Sequence, residues 1–287
     1  METYIRVLAI VLTLTVGLCV GSFLNVVIYR LPKNMSLARP RSHCPKCSYQ
    51  LKWYDNIPLF SYIFLRGKCR NCKEKISLRY PFVEFLNMAL WFVALMLYTN
   101  VIIPSITPNY LTFALSLVAI STLICVAFCD FDNMEIPDTF QVILLILGIV
   151  GFLNGDAQSK VFGFLLGGGF YALFAGLFYL VKKKEGLGFG DIKLMAVLGL
   201  FLGLQNTIIC LILSSIFGAI ILSILSIKNK KEKSREYPFA VFIVPCAIVA
   251  MSVGDFIANW YLSLFAIVWK TVWRSLFMLP KIWMVTK

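Results

Sequence analysis

Leu187-Gly-Phe-Gly190-Asp191-Ile-Lys-Leu-Met-Ala-Val-Leu-Gly-Leu-Phe-Leu-Gly-Leu204 is the stretch on which the fold turns. After Asp191, only 13 residues, 192–204, form its apolar run. That is short of the roughly 20 needed to cross a bilayer. The run reaches a workable length only if 188–191 enters the membrane with it. Asp191 then lies below the surface, on backbone that Gly188 and Gly190 make adaptable. Non-helical backbone is tolerated at that depth only where it lines protein or a water-filled cavity. The alternative is an Asp that caps the following helix. A carboxyl group at membrane depth is costly, and the cost favours a functional role.

The rest of the chain has the same character. Its 287 residues are 60% hydrophobic and only 14% charged, with a mean hydropathy of +0.83. A soluble domain needs more polar surface than that. About eight spans are expected, at 5–28, 80–97, 111–129, 136–153, 161–181, 187–204, 207–227 and 239–258. The first is too long for a signal-peptide core and lacks a small-residue cleavage pattern, so it reads as a retained helix. The expected fold is an all-α polytopic membrane protein. Its divisions are a first helix (1–28), a loop domain (29–79), a core of about seven helices (80–259) and a tail (260–287). In the tail, Lys270 and Arg274 stand among Trp269, Trp273, Leu276 and Phe277, which suits an amphipathic interfacial helix.

The net charge of +13 does not point to nucleic acid, because the basic residues sit in loops. Residues 29–79 hold twelve Lys/Arg, whereas 98–110 holds none. Further clusters occupy 182–193 and 228–235. The positive-inside rule places these loops in the cytoplasm and the N-terminus outside. It also brings 130–138 and 185–193 to one face of the membrane.

The first loop carries Cys44-Pro-Lys-Cys47 and Cys69-Arg-Asn-Cys72. Two such pairs are a zinc signature, in which four thiolates complete a closed structural site. A loop this small has little core of its own, and a metal staple suits it. The other five cysteines lie in or beside spans and read as apolar packing residues. The one histidine, His43, adjoins the first knuckle. A Ser–His pair within the membrane and an HExxH zinc site are therefore both excluded.

Carboxylates remain for acid–base chemistry. Asp130 follows the apolar run 111–129 and is the expected partner of Asp191. Asp138, with Gln141 three residues later, reads as a helix cap, and Asp132 as a solvated loop residue. Two close carboxyl groups share a proton. One can then activate water while the other polarises a carbonyl, which is aspartyl proteolysis.

These residues, in order, resemble the bacterial type IV prepilin peptidases, the leader peptidase/N-methyltransferases of pilus and type II secretion systems. The matching stretches are Gly21-Ser-Phe-Leu-Asn25-Val-Val-Ile-Tyr-Arg30-Leu-Pro32, both cysteine pairs with Asn56-Ile-Pro58 between them, and Arg79-Tyr-Pro-Phe-Val-Glu84. Asp130 through Ile136-Pro-Asp138, and Gly188-Phe-Gly-Asp191-Ile-Lys193, complete the set. The resemblance implies catalytic aspartates at Asp130 and Asp191. It also implies prepilin or pseudopilin substrates, pilus or secretion machinery as partners, and an inner-membrane location. Members with the cysteine insert also methylate the new N-terminus with S-adenosylmethionine, and Asn25 and Glu84 are candidates for that activity or for substrate docking. One departure is Pro238-Phe239-Ala240-Val241, where the family often has Pro-Phe-Gly-Pro. Two other classes compete: an ion-coupled transporter, which predicts repeated halves, and a membrane scaffold built on a zinc ribbon.

Overall fold

The computed structural model describes residues 2–98, 110–183, 188–228 and 237–277. They form helices α1 (Glu2–Arg30), α2 (Phe60–Phe64), α3 (Arg79–Tyr98), α4 (Tyr110–Asn133), α5 (Asp138–Leu153), α6 (Ala157–Lys182), α7 (Phe189–Leu202), α8 (Leu204–Lys228) and α9 (Ala240–Phe277). Each of the eight expected spans is a helix. Six are long and apolar enough to cross a membrane. The other two, α5 and α7, have 16 and 14 residues. At 1.5 Å per residue they reach about 24 and 21 Å, less than the ~30 Å hydrocarbon layer. Eight full-length spans are therefore not what the structure contains.

Three other expectations change. The turn before α7 is almost entirely helical: Gly188 is the N-cap, and Asp191 already lies in the first turn. Asp138 makes no capping bond, and the α5 N-cap is Pro137. The tail does not start a new helix near residue 260, because α9 runs unbroken to Phe277. Residues 278–287, and the side chains of 270–277, lie outside the described part.

Close approach between helices follows from small residues. A Cβ at Gly163 would sit 2.4 Å from the Gly199 carbonyl oxygen, and one at Gly199 would sit 2.1 Å from that of Gly163. The α6 and α7 backbones therefore touch, the small-residue packing that membrane helices favour. Gly21 does the same for α1 and α3, its Cβ position lying 2.8 Å from the Glu84 Cα. A buried polar link joins α1, α3 and α4. Asn87 donates to the Gly17 carbonyl and accepts from Ser121, whose hydroxyl also accepts from the Trp91 indole. Every group in that link has a partner, as hydrocarbon surroundings demand.

Tertiary bonds show which helix ends meet. Cys129 of α4 reaches the Ile28 carbonyl of α1 at 3.8 Å, Arg79 of α3 pairs with Asp132 of α4, and Asp130 of α4 binds the start of α9. Asp138 of α5 pairs with Lys193 of α7. The C-terminal ends of α1 and α4 thus gather with the N-terminal ends of α3, α5, α7 and α9. At the opposite end, Ser159 of α6 accepts from Leu204 N–H, and Asn206 of α8 donates to Asp255 of α9.

Candidate active site and metal centre

Asp130 points inward from the last turns of α4 and is 5% exposed. Its Oδ2 accepts the Ala240 N–H at 2.9 Å. That amide is the first of α9 and has no carbonyl within its own helix to bond. A carboxylate at a helix N-terminus also meets the positive end of the helix dipole. Pro238 and Phe239 precede this turn, so the segment that departs from the family pattern is the one that holds Asp130. Ala240 still supplies its amide.

Asp191 is the third residue of α7 and is 7% exposed. Its Oδ1 is buried without a hydrogen-bond partner among the described residues. The two carboxyl groups are close enough to interact electrostatically. Two contacts from α5 brace the Asp191 turn. Gln141 donates to the Gly190 carbonyl at 3.4 Å, and the Lys193 ammonium binds Asp138 at 3.1 Å. Asp138 and Gln141 looked like a local cap, yet both reach across to α7 instead. Behind α9, Tyr171 shares a 3.0 Å hydrogen bond with Ser214 and packs edge-on against Phe239. Sequence reasoning missed Gln141, Tyr171 and Ser214 as neighbours of the site. Each is a polar group in or at the edge of an apolar run, and that was the available signal.

Asp132 is not a loop residue. It lies in the last turn of α4, exposed as expected, and pairs with Arg79, whose guanidinium lies over the Phe128 ring. Asn25 and Glu84 are both buried. Asn25 donates to the Gly21 and Tyr80 carbonyls, fastening α1 to α3. Glu84 accepts the Leu59 N–H at 2.8 Å, fastening the cysteine insert to α3. Arg30 closes the base of the insert with bonds to the carbonyls of Ser36, Leu37 and Pro40.

The insert holds two matching knuckles. Cys44 N–H binds the Tyr49 carbonyl and Ser48 N–H binds that of Cys44; Cys69 does the same with Glu74 and Lys73. Ser48 and Lys73, at equivalent places, both have positive φ (56° and 61°). The four sulfurs lie within 4.8 Å of one another, with Cys44–Cys72 at 3.8 Å and Cys47–Cys69 at 4.0 Å. A tetrahedron with metal–sulfur bonds of ~2.3 Å has edges of ~3.8 Å, so the cluster fits a metal ion. The Tyr49 amide is the main influence drawing the Cys47 thiol down to about 6. Cys72 is pushed up to about 12: the Glu74 amide pulls it down, but burial and the three neighbouring thiols outweigh it. Four thiolates cannot share this space without a cation. Arg70, inside the second knuckle, binds the buried Asp55 at 2.8 Å and ties the cluster to residues 53–56.

Residues 15–98 match the bacterial peptidase A24 N-terminal domain, and residues 117–223 match the type IV leader peptidase family. The chain belongs to the type IV leader peptidase family. The relatives of this leader peptidase chain include the prepilin leader peptidase/N-methyltransferase of Aeromonas salmonicida, 35% identical over 86% of this chain and 91% of that protein. The like-named protein of Legionella pneumophila is 37% identical over 86% and 92%. That of Neisseria gonorrhoeae is 31% identical over 89% and 95%. No solved structure matches the chain. The first family segment takes in the insert, and the second takes in Asp130, the α5 brace and Asp191.

Proposed function

We propose that this chain removes the N-terminal leader of a prepilin or pseudopilin by aspartyl hydrolysis and then methylates the new N-terminus. One observation carries the peptidase reading: Asp130 and Asp191, 61 positions apart in sequence, are buried together where α4, α7 and α9 meet. Asp130 is the fixed member, because its Oδ2 is occupied by the α9 amide. The partnerless Oδ1 of Asp191 is the atom open to a water or a substrate group. One carboxylate takes a proton from the attacking water while the other, protonated, donates to the scissile carbonyl oxygen. As the tetrahedral centre collapses, the first acid passes the water's proton to the leaving amine and a hydroxyl of that centre returns a proton to the second, so both acids regain their starting state.

Cys44, Cys47, Cys69 and Cys72 would hold zinc, which there supplies structure and no chemistry. S-adenosylmethionine would supply the methyl group to the free amine. Asn25 and Glu84 are already bonded at the α1–α3–insert junction through Nδ2 and Oε2, so a donor site using them would draw on their remaining acceptor positions. The basic loops support a cytoplasmic insert and site, with the N-terminus outside, in the inner membrane. The division into first helix, metal-binding insert, catalytic core and tail follows the same reading. Contact with pilus or secretion machinery follows from the resemblance alone. The transporter reading would use the buried carboxyl pair for ions or protons but does not account for the ordered motif set, and the scaffold reading leaves Asp191 without a purpose.

The test uses membranes containing the wild type, Asp130→Asn or Asp191→Asn, incubated with a prepilin. Each variant should cleave ~100- to 10,000-fold more slowly, the range expected for loss of one acid–base group. Wild-type rates in both variants would contradict the reading.

A further inference from the structure

The cysteine insert carries an apolar face that neither the catalytic pair nor the metal centre explains. Trp53 is 79% exposed, Phe64 82%, Ile63 67% and Phe60 56%, with Ile57 beside them at 40%. Within α2, Phe60, Ile63 and Phe64 share one face by their i, i+3, i+4 spacing, and Trp53 and Ile57 lie in the segment that leads into it. Most of the insert's other side chains are polar or charged, so the patch stands out.

Its depth is set by one bond. Leu59, just before α2, donates its N–H to Glu84. Glu84 lies five residues inside α3 from Arg79, about 7.5 Å along the helix axis. The α2 helix is therefore held level with the first turns of a membrane-spanning helix, not suspended above them. Near that level, Leu78, just before α3, and Phe82 of α3 are exposed apolar side chains as well, at 72% and 53%. Exposed Lys52, Arg66 and Lys68 flank the patch. Across 29–79 the twelve basic residues face only two acidic ones, Asp55 and Glu74. Aromatic and aliphatic side chains at interface depth, rimmed by cations, suit a lipid surface with anionic headgroups.

We propose that Trp53 and the exposed face of α2 anchor the cysteine insert to the anionic lipid surface of the leaflet at the Asp130–Asp191 end. This requires only that the chain is embedded in a membrane, and it stands apart from the peptidase reading. Two tethers then act on the insert. Glu84 holds it to α3, and the lipid contact stops it pivoting about that bond. The metal centre keeps the path from Trp53 to Phe64 rigid, through Arg70 and Asp55.

The test is tryptophan depth in vesicles holding the full-length protein with its metal bound. The emission of Trp53 is taken as the difference between wild type and Trp53→Phe; at 79% exposure this change should not disturb folding. In vesicles containing phosphatidylglycerol, lipids brominated near the glycerol should quench that emission more strongly than lipids brominated near the chain ends. Aqueous iodide should quench it little. Phe60→Ser with Phe64→Ser should reverse the pattern while the metal content stays unchanged. Strong iodide quenching of wild-type Trp53, with none from brominated lipid, would overturn the proposal. So would equal bromine quenching in purely zwitterionic vesicles, which would remove the anionic headgroup, or shielding of Trp53 that appears only when a prepilin is added, which would assign the face to a peptide. None of these readings uses cleavage, so loss of the peptidase reading would leave them intact.

Discussion

The helix junction around Asp130 and Asp191 and the cysteine insert are held together in opposite ways. At the junction, helices approach until backbones touch, and single polar groups find partners on a neighbouring helix: Asp130 on α9, Gln141 on α7, Ser121 on Asn87. In the insert, Cys44, Asp55 and Cys69 are the only buried residues between 31 and 78, and four sulfurs occupy the centre. The junction gains its order from the surrounding bundle; the insert has four clustered thiols that could hold a metal, and the tether at Glu84. The difference shows why one chain can keep a dry, rigid acid pair beside a soluble unit with almost no core.

That contrast can be broken from the metal side with the largest effect. Structural zinc contributes on the order of 10 kcal/mol in small metal-folded domains. Cys44→Ser with Cys72→Ser should abolish bound metal and open residues 31–78 to protease, while the helices of 80–259 stay protected. Protease resistance of the metal-free insert would show that it has a core the structure does not display. Next comes the helix contact. Gly199→Leu would force a side chain into the Gly163 carbonyl, and overpacking of this kind costs ~1–3 kcal/mol or more. The variant should unfold at lower denaturant in detergent while keeping its metal. A smaller loss, about 1 kcal/mol, is expected for Ser121→Ala, which leaves Asn87 and Trp91 each short of one partner. Thermal unfolding in detergent would measure it. The smallest effect belongs to Asp138→Asn. The Lys193–Asp138 pair is well exposed, so it contributes about 0.5 kcal/mol or less. Cleavage should stay near wild type; a loss as deep as that of Asp191→Asn would place Asp138 in the reaction itself.

Much of this architecture could be read from the residues. Apolar runs located eight of the helices, six of them long and apolar enough to cross a membrane, because hydrocarbon permits little else. The cysteine spacing located both knuckles. The sharing of one membrane face by Asp130 and Asp191 followed from where the lysines lie. Other features depend on partners that no local pattern names. Asp138-Thr-Phe-Gln141 has the spacing of a capping box, yet Lys193 and the Gly190 carbonyl compete for those side chains and win. Asp130 seemed to follow a helix, but α4 continues three residues further, to Asn133. Asn25 and Glu84 are candidates for ligand binding through the family resemblance alone. Their partners are backbone groups of Gly21, Tyr80 and Leu59, which are invisible until the helices pack. The shortness of α7 was legible; that its first turn is helical through Asp191 was not.

The central claim is that Asp130 and Asp191 act as one unit. Its most direct test is the prepilin cleavage rate of Asp130→Asn, Asp191→Asn and the double variant in the same membranes. Residues that act together are strongly non-additive on removal. The double variant should therefore be about as slow as either single one, with all three still binding metal. Modest losses in the single variants that multiply in the double, or either single variant cleaving at the wild-type rate, would contradict the account.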